Sequence, residues 1–256
     1  DGAYPEGSHY WHYGTSYTLL TISSFESAFG TDFGMSKSPG FIESARYIKM
    51  LVSPSGLYFN YFDSDSTGDN GLENQELLSW FAGKTGNGIY YNPDQLKSAL
   101  STASTSGINS SKMNGAALTW LTKAKPSHST PLPLSWKGDG LNPIIIFKST
   151  PNDPSKFFLG AKGGAAKLSH GNMDAGSFVF DLNGVRWSVD LGMQDYTSLE
   201  AAMGVEGLWY NGQNSTRWTL LSKNNFGHST LTINDQLHAV DGFASLISFK
   251  ASDTNP

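Results

Sequence analysis

A change in hydrophobic periodicity near residue 125 constrains the fold of this chain more than any other feature. Before it, apolar side chains recur at helical spacing, most clearly over residues 17–29, with Thr15 or Ser16 as the N-cap and Gly30 as the stop. After it, prolines break any helix, and short segments alternate between apolar and polar residues. Helices followed by antiparallel strands predict two domains, a helical one at 1–125 and one built from strands at 126–256.

Weaker patterns predict the remaining elements. Helices are expected at residues 41–52, 74–81, 93–100 and 115–123, and a loop at 101–111. Strands are expected at residues 134–137, 144–148, 157–162, 177–182, 185–190, 218–222, 230–233 and 246–250. The clearest signal is Asn183-Gly184 between two alternating runs, because both positions of a two-residue hairpin turn need a positive φ. The sequence therefore predicts a β-hairpin on either side of this pair.

Composition excludes several classes of protein. The 256 residues carry 22 acidic and 17 basic side chains, a net charge of -5, so a basic nucleic-acid binder is disfavoured. No apolar run approaches the roughly 20 residues that a membrane-spanning helix requires, so no membrane insertion is expected. Cysteine is absent, which removes disulfides and thiolate metal sites. Low charge with abundant Gly, Ser, Asn, Tyr and Trp is typical of proteins that handle sugars.

Histidines occur in three segments that are rich in polar or aromatic residues. Residues 6–14 contain His9, Tyr10, Trp11, His12 and Tyr13 in what we expect to be a Gly-flanked loop ahead of the first helix. Such a loop suits either a sugar site or aromatic packing, and composition alone leaves both open. Histidines 170 and 228 each precede an expected strand, and Asp190 ends another, so strand ends could gather them into a zinc site.

Residues 63–71 have the spacing of a calcium-binding loop in part. Acidic residues stand at its first, third and seventh places and Gly68 at the sixth, but Asn74 stands where a bidentate Glu is required. We therefore interpret this segment as a polar surface loop.

Taken together, four segments resemble the heparinase II/III-like family of polysaccharide lyases. The resemblance is best over His170-Gly171-Asn172-Met173-Asp174-Ala175-Gly176-Ser177-Phe178 and continues through Asn183-Gly184-Val185-Arg186-Trp187-Ser188-Val189-Asp190-Leu191-Gly192. It also covers Asp1-Gly2-Ala3-Tyr4-Pro5-Glu6-Gly7 with Tyr10 and Tyr13, and Gly227-His228-Ser229-Thr230-Leu231.

The resemblance implies an α+β multidomain fold. Residues 1–125 would be the C-terminal portion of an (α/α) toroid and residues 126–256 a truncated antiparallel β-sandwich, with the active cleft between them. It further implies that the chain is part of a longer bacterial protein, periplasmic or secreted. The residue that neutralises the substrate carboxylate would lie upstream of residue 1, so this portion alone could be inactive.

The implied activity is β-elimination in a uronic-acid-containing, acidic polysaccharide. By resemblance, His170 is the catalytic histidine and Tyr10 the catalytic tyrosine, with Tyr13 and Tyr17 as alternatives. His9, Trp11, His12 and Tyr13 would line the substrate cleft. Apart from the resemblance, local charge matters more than the net charge of -5, and Arg186 is expected to bind the acidic substrate in a basic strip with Lys162, Lys167 and Arg217.

The resemblance also implies a structural zinc ion with ligands at positions 172, 190 and 228. Asp190 and His228 match, but position 172 holds Asn172, and an amide is a poor zinc ligand compared with imidazole. Asp174 is close enough in sequence to substitute. A different class of function, a non-catalytic glycan-binding or structural relative, is favoured by this departure. A glycoside hydrolase would need a second carboxylate to pair with Glu6, and the sequence offers no convincing one.

Overall fold

A computed structural model of the chain describes residues 1–66, 72–91 and 114–252. The chain forms two compact units. The first contains Asp1–Gly2, His9–Lys49 and Gly68–Leu132, and the second contains Ala3–Ser8, Met50–Thr67 and Pro133–Pro256. The expected domain boundary was residue 126, whereas the second unit takes up the chain at Pro133 and includes two earlier segments. The helix expected at 93–100 and the loop expected at 101–111 lie outside the described residues.

The first unit is helical. Its helices are α1 (Gly7–Phe29), α2 (Ser44–Met50), α3 (Leu72–Thr85) and α4 (Asn114–Lys123), as far as the structure describes it. The indole of Trp11 in α1 is fully buried and stacks on Phe81 of α3, with ring centroids 6.2 Å apart. Burial of these aromatic faces and of the α2 side chains Tyr47 and Ile48 forms the core of this unit.

Helix α1 begins ten residues earlier than the sequence pattern predicted, so the expected loop at 6–14 is helical from Gly7 onwards. Trp11, Thr15, Leu19 and Ile22 are all buried, and their spacing of four, four and three residues marks one helical face. The expected N-cap hydroxyl of Ser16 instead donates to the carbonyl of His12, one turn back within the helix. Gly30 does end the helix, with φ +71°.

The second unit contains a five-stranded antiparallel sheet in the order of the sequence. Its strands are β1 (Ser135–Gly138), β2 (Ile144–Lys148), β3 (Phe158–Lys162), β4 (Phe178–Leu182) and β5 (Val185–Ser188). Each lies within one to two residues of its predicted position. Asn183 and Gly184 both have positive φ, 53° and 76°, and join β4 to β5, so the predicted hairpin is confirmed.

One face of the sheet packs against the segment Met50–Thr67. Phe59 of that segment is buried directly over Gly160 of β3, where an added Cβ atom would lie 2.7 Å from the ring. Position 160 therefore has to be glycine for the aromatic ring to approach the strand. This contact brings the residues after Phe59, including Asp63, to the same unit as the sheet.

The chain leaves the sheet after β5. Two helices, α5 (Tyr196–Met203) and α6 (Val205–Trp209), and 3₁₀ turns at Thr216–Thr219 and Asn225–Gly227 follow. The strand predictions at 218–222, 230–233 and 246–250 are wrong. The first fails because Ser215 caps a 3₁₀ turn, and the others because their apolar side chains, such as Leu231 and Ile247, are exposed. No helix in the described ranges is long and apolar enough to cross a membrane.

Candidate active site

Three side chains from distant parts of the second unit meet around one carboxylate. Nδ1 of His170 lies 3.1 Å from Oδ2 of Asp63 and 3.0 Å from the hydroxyl of Tyr196. The Tyr196 hydroxyl donates a hydrogen bond to the same Oδ2 atom, and the ammonium of Lys223 donates to Oδ1. Asp63 is therefore the centre of the group, and each of its oxygens accepts from a proton-carrying side chain.

Local backbone structure places each member. Asp63 follows the aromatic segment that packs on the sheet, and its side chain is only 1% exposed. His170 lies in the loop after β3 with φ +53°, a conformation that few non-glycine residues adopt and that occurs preferentially at functional sites. Tyr196 is the first residue of α5, and the carboxylate of Asp195 caps that helix by accepting from the amide of Ser198 at 2.8 Å.

The environment keeps Asp63 ionised. Burial by itself would raise the pKa of Asp63, but the hydrogen bond from His170, the charge and hydrogen bond of Lys223 and the hydrogen bond from Tyr196 lower it to about 2. Burial also lowers the pKa of Lys223, which Asp63 partly offsets. A carboxylate that stays ionised at neutral pH therefore faces Nδ1 of His170.

This arrangement favours one tautomer of the neutral imidazole. A carboxylate that accepts from Nδ1 holds a proton on that nitrogen, so the neutral ring carries its lone pair on Nε2. The side chain of His170 is 19% exposed, whereas Asp63 and Lys223 are buried behind it. A histidine oriented by a buried carboxylate is the usual arrangement for a general base, because the carboxylate also stabilises the imidazolium that forms.

A buried arginine joins the His170 loop to the end of helix α6. The guanidinium of Arg217 donates to the carbonyl of Gly171 at 2.6 Å and to that of Leu208 at 3.0 Å. Gly171 follows His170, and Leu208 precedes Trp209, whose ring contacts the imidazole edge-on at a centroid distance of 5.9 Å. Arg217 therefore sets the position of His170 relative to Trp209.

Comparison with known families covers part of this site. Residues 155–250 match the family described as "Heparinase II/III-like, C-terminal", and the match includes His170, Tyr196, Arg217 and Lys223. The chain carries a heparinase II/III-like domain. No curated protein matches the chain.

The sequence predicted two groups of site residues, and they fall in different units. His170 lies in the heparinase II/III-like domain, while His9, Tyr10, Trp11, His12 and Tyr13 lie in the first unit on the N-terminal turns of α1. Of these five, Trp11 is part of the core and Tyr13 is 58% exposed. The rings of His9 and Tyr10 contact each other edge-on at a centroid distance of 5.4 Å.

Of the four residues in the expected basic strip, Lys167 is exposed and pairs with Asp241 at 2.8 Å, while the other three are buried. The Arg186 guanidinium is 4% exposed and donates to Asp181 at 2.6 Å and to the carbonyl of Tyr58 at 2.6 Å. Lys162 is fully buried against Asp174, and Arg217 is buried as described above. The geometry gives Arg186 a structural role in place of the expected substrate contact, because its donors already serve a buried carboxylate and the backbone.

The residues that the resemblance assigns to zinc form a poor ligand set. Asn172 is buried and supplies only an amide, and Oδ2 of Asp190 lies 2.7 Å from Nδ1 of His228, a direct hydrogen bond between two of the expected ligands. Among the described residues, no group of three or more His, Cys, Asp or Glu side chains could hold a metal ion. Both side-chain polar atoms of Asn172 and Nε2 of His228 have no hydrogen-bond partner there, which is typical of groups that bind ordered water or an ion.

A buried cation of the chain itself lies in the same region. The Lys162 ammonium is 2.6 Å from Oδ1 of Asp174, both side chains are fully buried, and the ring of Phe62 lies 3.8 Å from the ammonium. Burial lowers the pKa of Lys162, while the charges of Asp174 and Asp190 oppose that effect. An ammonium within electrostatic reach of Asp190 disfavours a second cation there, so we derive no catalytic step through zinc.

Sequence reasoning missed three members of the site: Asp63, Tyr196 and Lys223. Asp63 was assigned to a surface loop because its neighbours are polar, yet Asp63 and Ser64 are both buried. The aromatic run before it, residues 57–62, was the available signal, since a segment so apolar has to pack against the core. Nothing local in the sequence marks Tyr196 or Lys223, because their partner is more than 130 residues away.

Proposed function

We propose that the chain is part of a polysaccharide lyase that cleaves uronic-acid-containing glycans by β-elimination, with His170 as a proton-transfer residue. The observation that carries this proposal is the hydrogen bond between Asp63 and Nδ1 of His170. It orients a partly exposed imidazole and favours a proton on Nδ1, which makes Nε2 the basic nitrogen. The match of residues 155–250 to the heparinase II/III-like C-terminal domain supports the same class of reaction.

The C5 proton of a uronate is the group that this base would remove. That proton is adjacent to a carboxylate, so it becomes acidic only when the carboxylate charge is neutralised, and an acid must protonate the departing 4-linked oxygen. Nε2 of His170 accepts the proton, and Asp63 stabilises the resulting imidazolium. The C5–H electron pair forms the C4–C5 double bond as the glycosidic C4–O bond breaks, and no water is consumed.

Two tyrosines are candidates for the acid. Tyr196 contacts His170 directly, and its hydroxyl is already oriented by Asp63. Tyr10 of the first unit is the tyrosine indicated by the family resemblance. Replacing each tyrosine by Phe distinguishes the two candidates. Loss of the acid should lower kcat sharply, whereas loss of a residue that only orients His170 should shift the pH profile.

Product analysis tests this proposal. The chain is incubated with heparan sulfate, chondroitin, hyaluronan and alginate, and the products are examined by mass spectrometry. Elimination predicts oligosaccharides with an unsaturated terminal uronate, each lighter by one water than the hydrolysis product. Products of hydrolysis would overturn the proposal. Binding of a glycan with no cleavage would instead favour the non-catalytic relative.

A further inference from the structure

An exposed tryptophan lies directly beside the candidate base. The Trp209 side chain is 42% exposed, and its ring meets that of His170 edge-on, with an interplanar angle of 89° and a centroid distance of 5.9 Å. Single exposed aromatic side chains are common at protein surfaces, so the feature that points to a ligand here is the contact of this indole with the candidate base.

The indole of Trp209 is held in place on two sides. Its ring packs against that of Tyr196 at a centroid distance of 4.6 Å and an angle of 32°, and its Nε1–H donates to Oε1 of Glu200 at 2.7 Å. Arg217 anchors the preceding residue, Leu208, to the His170 loop. These contacts fix the rotamer before any ligand arrives, which reduces the entropy lost on binding.

A second exposed tryptophan, Trp187, serves as a comparison for Trp209. Trp187 on β5 is 69% exposed, and its Nε1–H bonds the carbonyl of Leu182 within its own hairpin at 3.3 Å. None of the described ring contacts joins Trp187 to a histidine or tyrosine. Exposure alone therefore does not distinguish Trp209; its contact with His170 and Tyr196 does.

We propose that Trp209 is a sugar-stacking subsite that holds a pyranose ring of the glycan next to His170. This inference rests on the proposed function for the substrate class. The C–H groups on one side of a pyranose carry partial positive charge and match the negative face of an indole. Stacking on a fixed indole requires no charged group, which suits a domain whose described Arg186, Arg217 and Lys162 are buried.

The test measures binding separately from cleavage. Hexasaccharides prepared from heparan sulfate, chondroitin, hyaluronan and alginate are titrated by calorimetry into His170→Ala, a background in which cleavage is suppressed. Adding Trp209→Ala should weaken the binding of any hexasaccharide that binds by about tenfold. Trp209→Phe, which keeps a ring, should restore part of the affinity. Trp187→Ala is the matched control and should change it less than about twofold.

Each outcome decides the inference. Unchanged affinity in Trp209→Ala, equal loss in Trp209→Ala and Trp187→Ala, or no binding of any hexasaccharide overturns the subsite. A selective loss in Trp209→Ala supports it even if the wild-type chain eliminates none of the four polymers, in which case only the proposed lyase activity fails. Elimination by the wild type with an unchanged KM in Trp209→Ala removes the subsite and leaves the activity standing.

Discussion

Oδ2 of Asp63 lies 3.1 Å from Nδ1 of His170, although 107 positions separate the two residues in the chain. Asp63 arrives on the segment that packs over β3, and His170 on the loop that follows β3. The same carboxylate accepts from Lys223 and Tyr196. The site is therefore assembled by the tertiary structure of the second unit, and its stability and its chemistry both depend on Asp63.

Removal of the Asp63 charge should destabilise the protein. In Asp63→Asn the ammonium of Lys223 stays buried without its ionic partner, which costs about 3–5 kcal/mol of unfolding free energy. Urea denaturation measures this loss. Adding Lys223→Met should recover part of it, because the unpaired charge is then gone.

A surface pair in the same unit is the control for that substitution. Asp241 pairs with Lys167 at 2.8 Å, but the two side chains are 81% and 54% exposed. Asp241→Asn should therefore change the unfolding free energy by less than about 0.5 kcal/mol. Equal effects of the Asp63 and Asp241 substitutions would show that burial of the Asp63 group does not matter.

The lowered pKa of Asp63 predicts an acid transition in stability. The folded-state pKa is about 2, below the ordinary value of 3.8, so ionised Asp63 contributes stability that is fully present above about pH 4. That contribution is lost as the pH falls through about 2, when the folded state also binds the proton. The difference in unfolding free energy between wild type and Asp63→Asn should shrink over this window. A constant difference from pH 5 to pH 2 would contradict the lowered pKa.

Metal removal should leave the fold intact. The Lys162 ammonium is within electrostatic reach of Asp190 and His228, two of the residues that the resemblance assigns to zinc, so dialysis against a chelator should not change the Tm. Lys162→Met should lower the unfolding free energy by about 3–5 kcal/mol, since Asp174 is then buried without a partner. A chelator-induced fall in Tm that added zinc reverses would show instead that Asn172, Asp190 and His228 hold a metal.

Packing at Gly160 gives a test of the second unit alone. A Cβ atom there would lie 2.7 Å from the ring of Phe59, so Gly160→Ala should destabilise by about 1–3 kcal/mol. Gly140→Ala is the control, because its nearest neighbour lies 4.0 Å away and its φ lies outside the positive range. Thermal unfolding measures the Tm of both variants, and Gly160→Ala should lower it more than Gly140→Ala does.

The sequence predicted the elements whose signals are local. The Asn183-Gly184 hairpin and strands β1 to β4 follow from turn chemistry and alternation, and α3 and α4 from helical spacing. Strands predicted after β5 failed because alternation does not reveal whether a face is buried. Helix α1 was predicted too short because Ser16 looked like a cap, whereas its hydroxyl bonds back into the helix.

The candidate site was predictable only in part. His170 stands in a segment long enough to suggest the family, and the family match covers it. Asp63 and Tyr196 can be recognised as site residues only from the folded structure, because nothing near them in sequence indicates a histidine partner. The burial of Arg186 was not predicted either, because its partner Asp181 lies on the paired strand β4.

β-Elimination through His170 is tested by following the unsaturated uronate product by its ultraviolet absorbance. Wild type, His170→Ala and His128→Ala, a control at an exposed histidine of the first unit, are each prepared in this chain and in the longer protein that the family resemblance implies, and are incubated with the four uronate polymers. Absorbance should rise with wild type on at least one polymer, and equally with His128→Ala. With His170→Ala the rate should fall at least about 10²-fold. No rise with wild type on any polymer, or an unchanged rate in His170→Ala, would show that the protein does not perform β-elimination through His170.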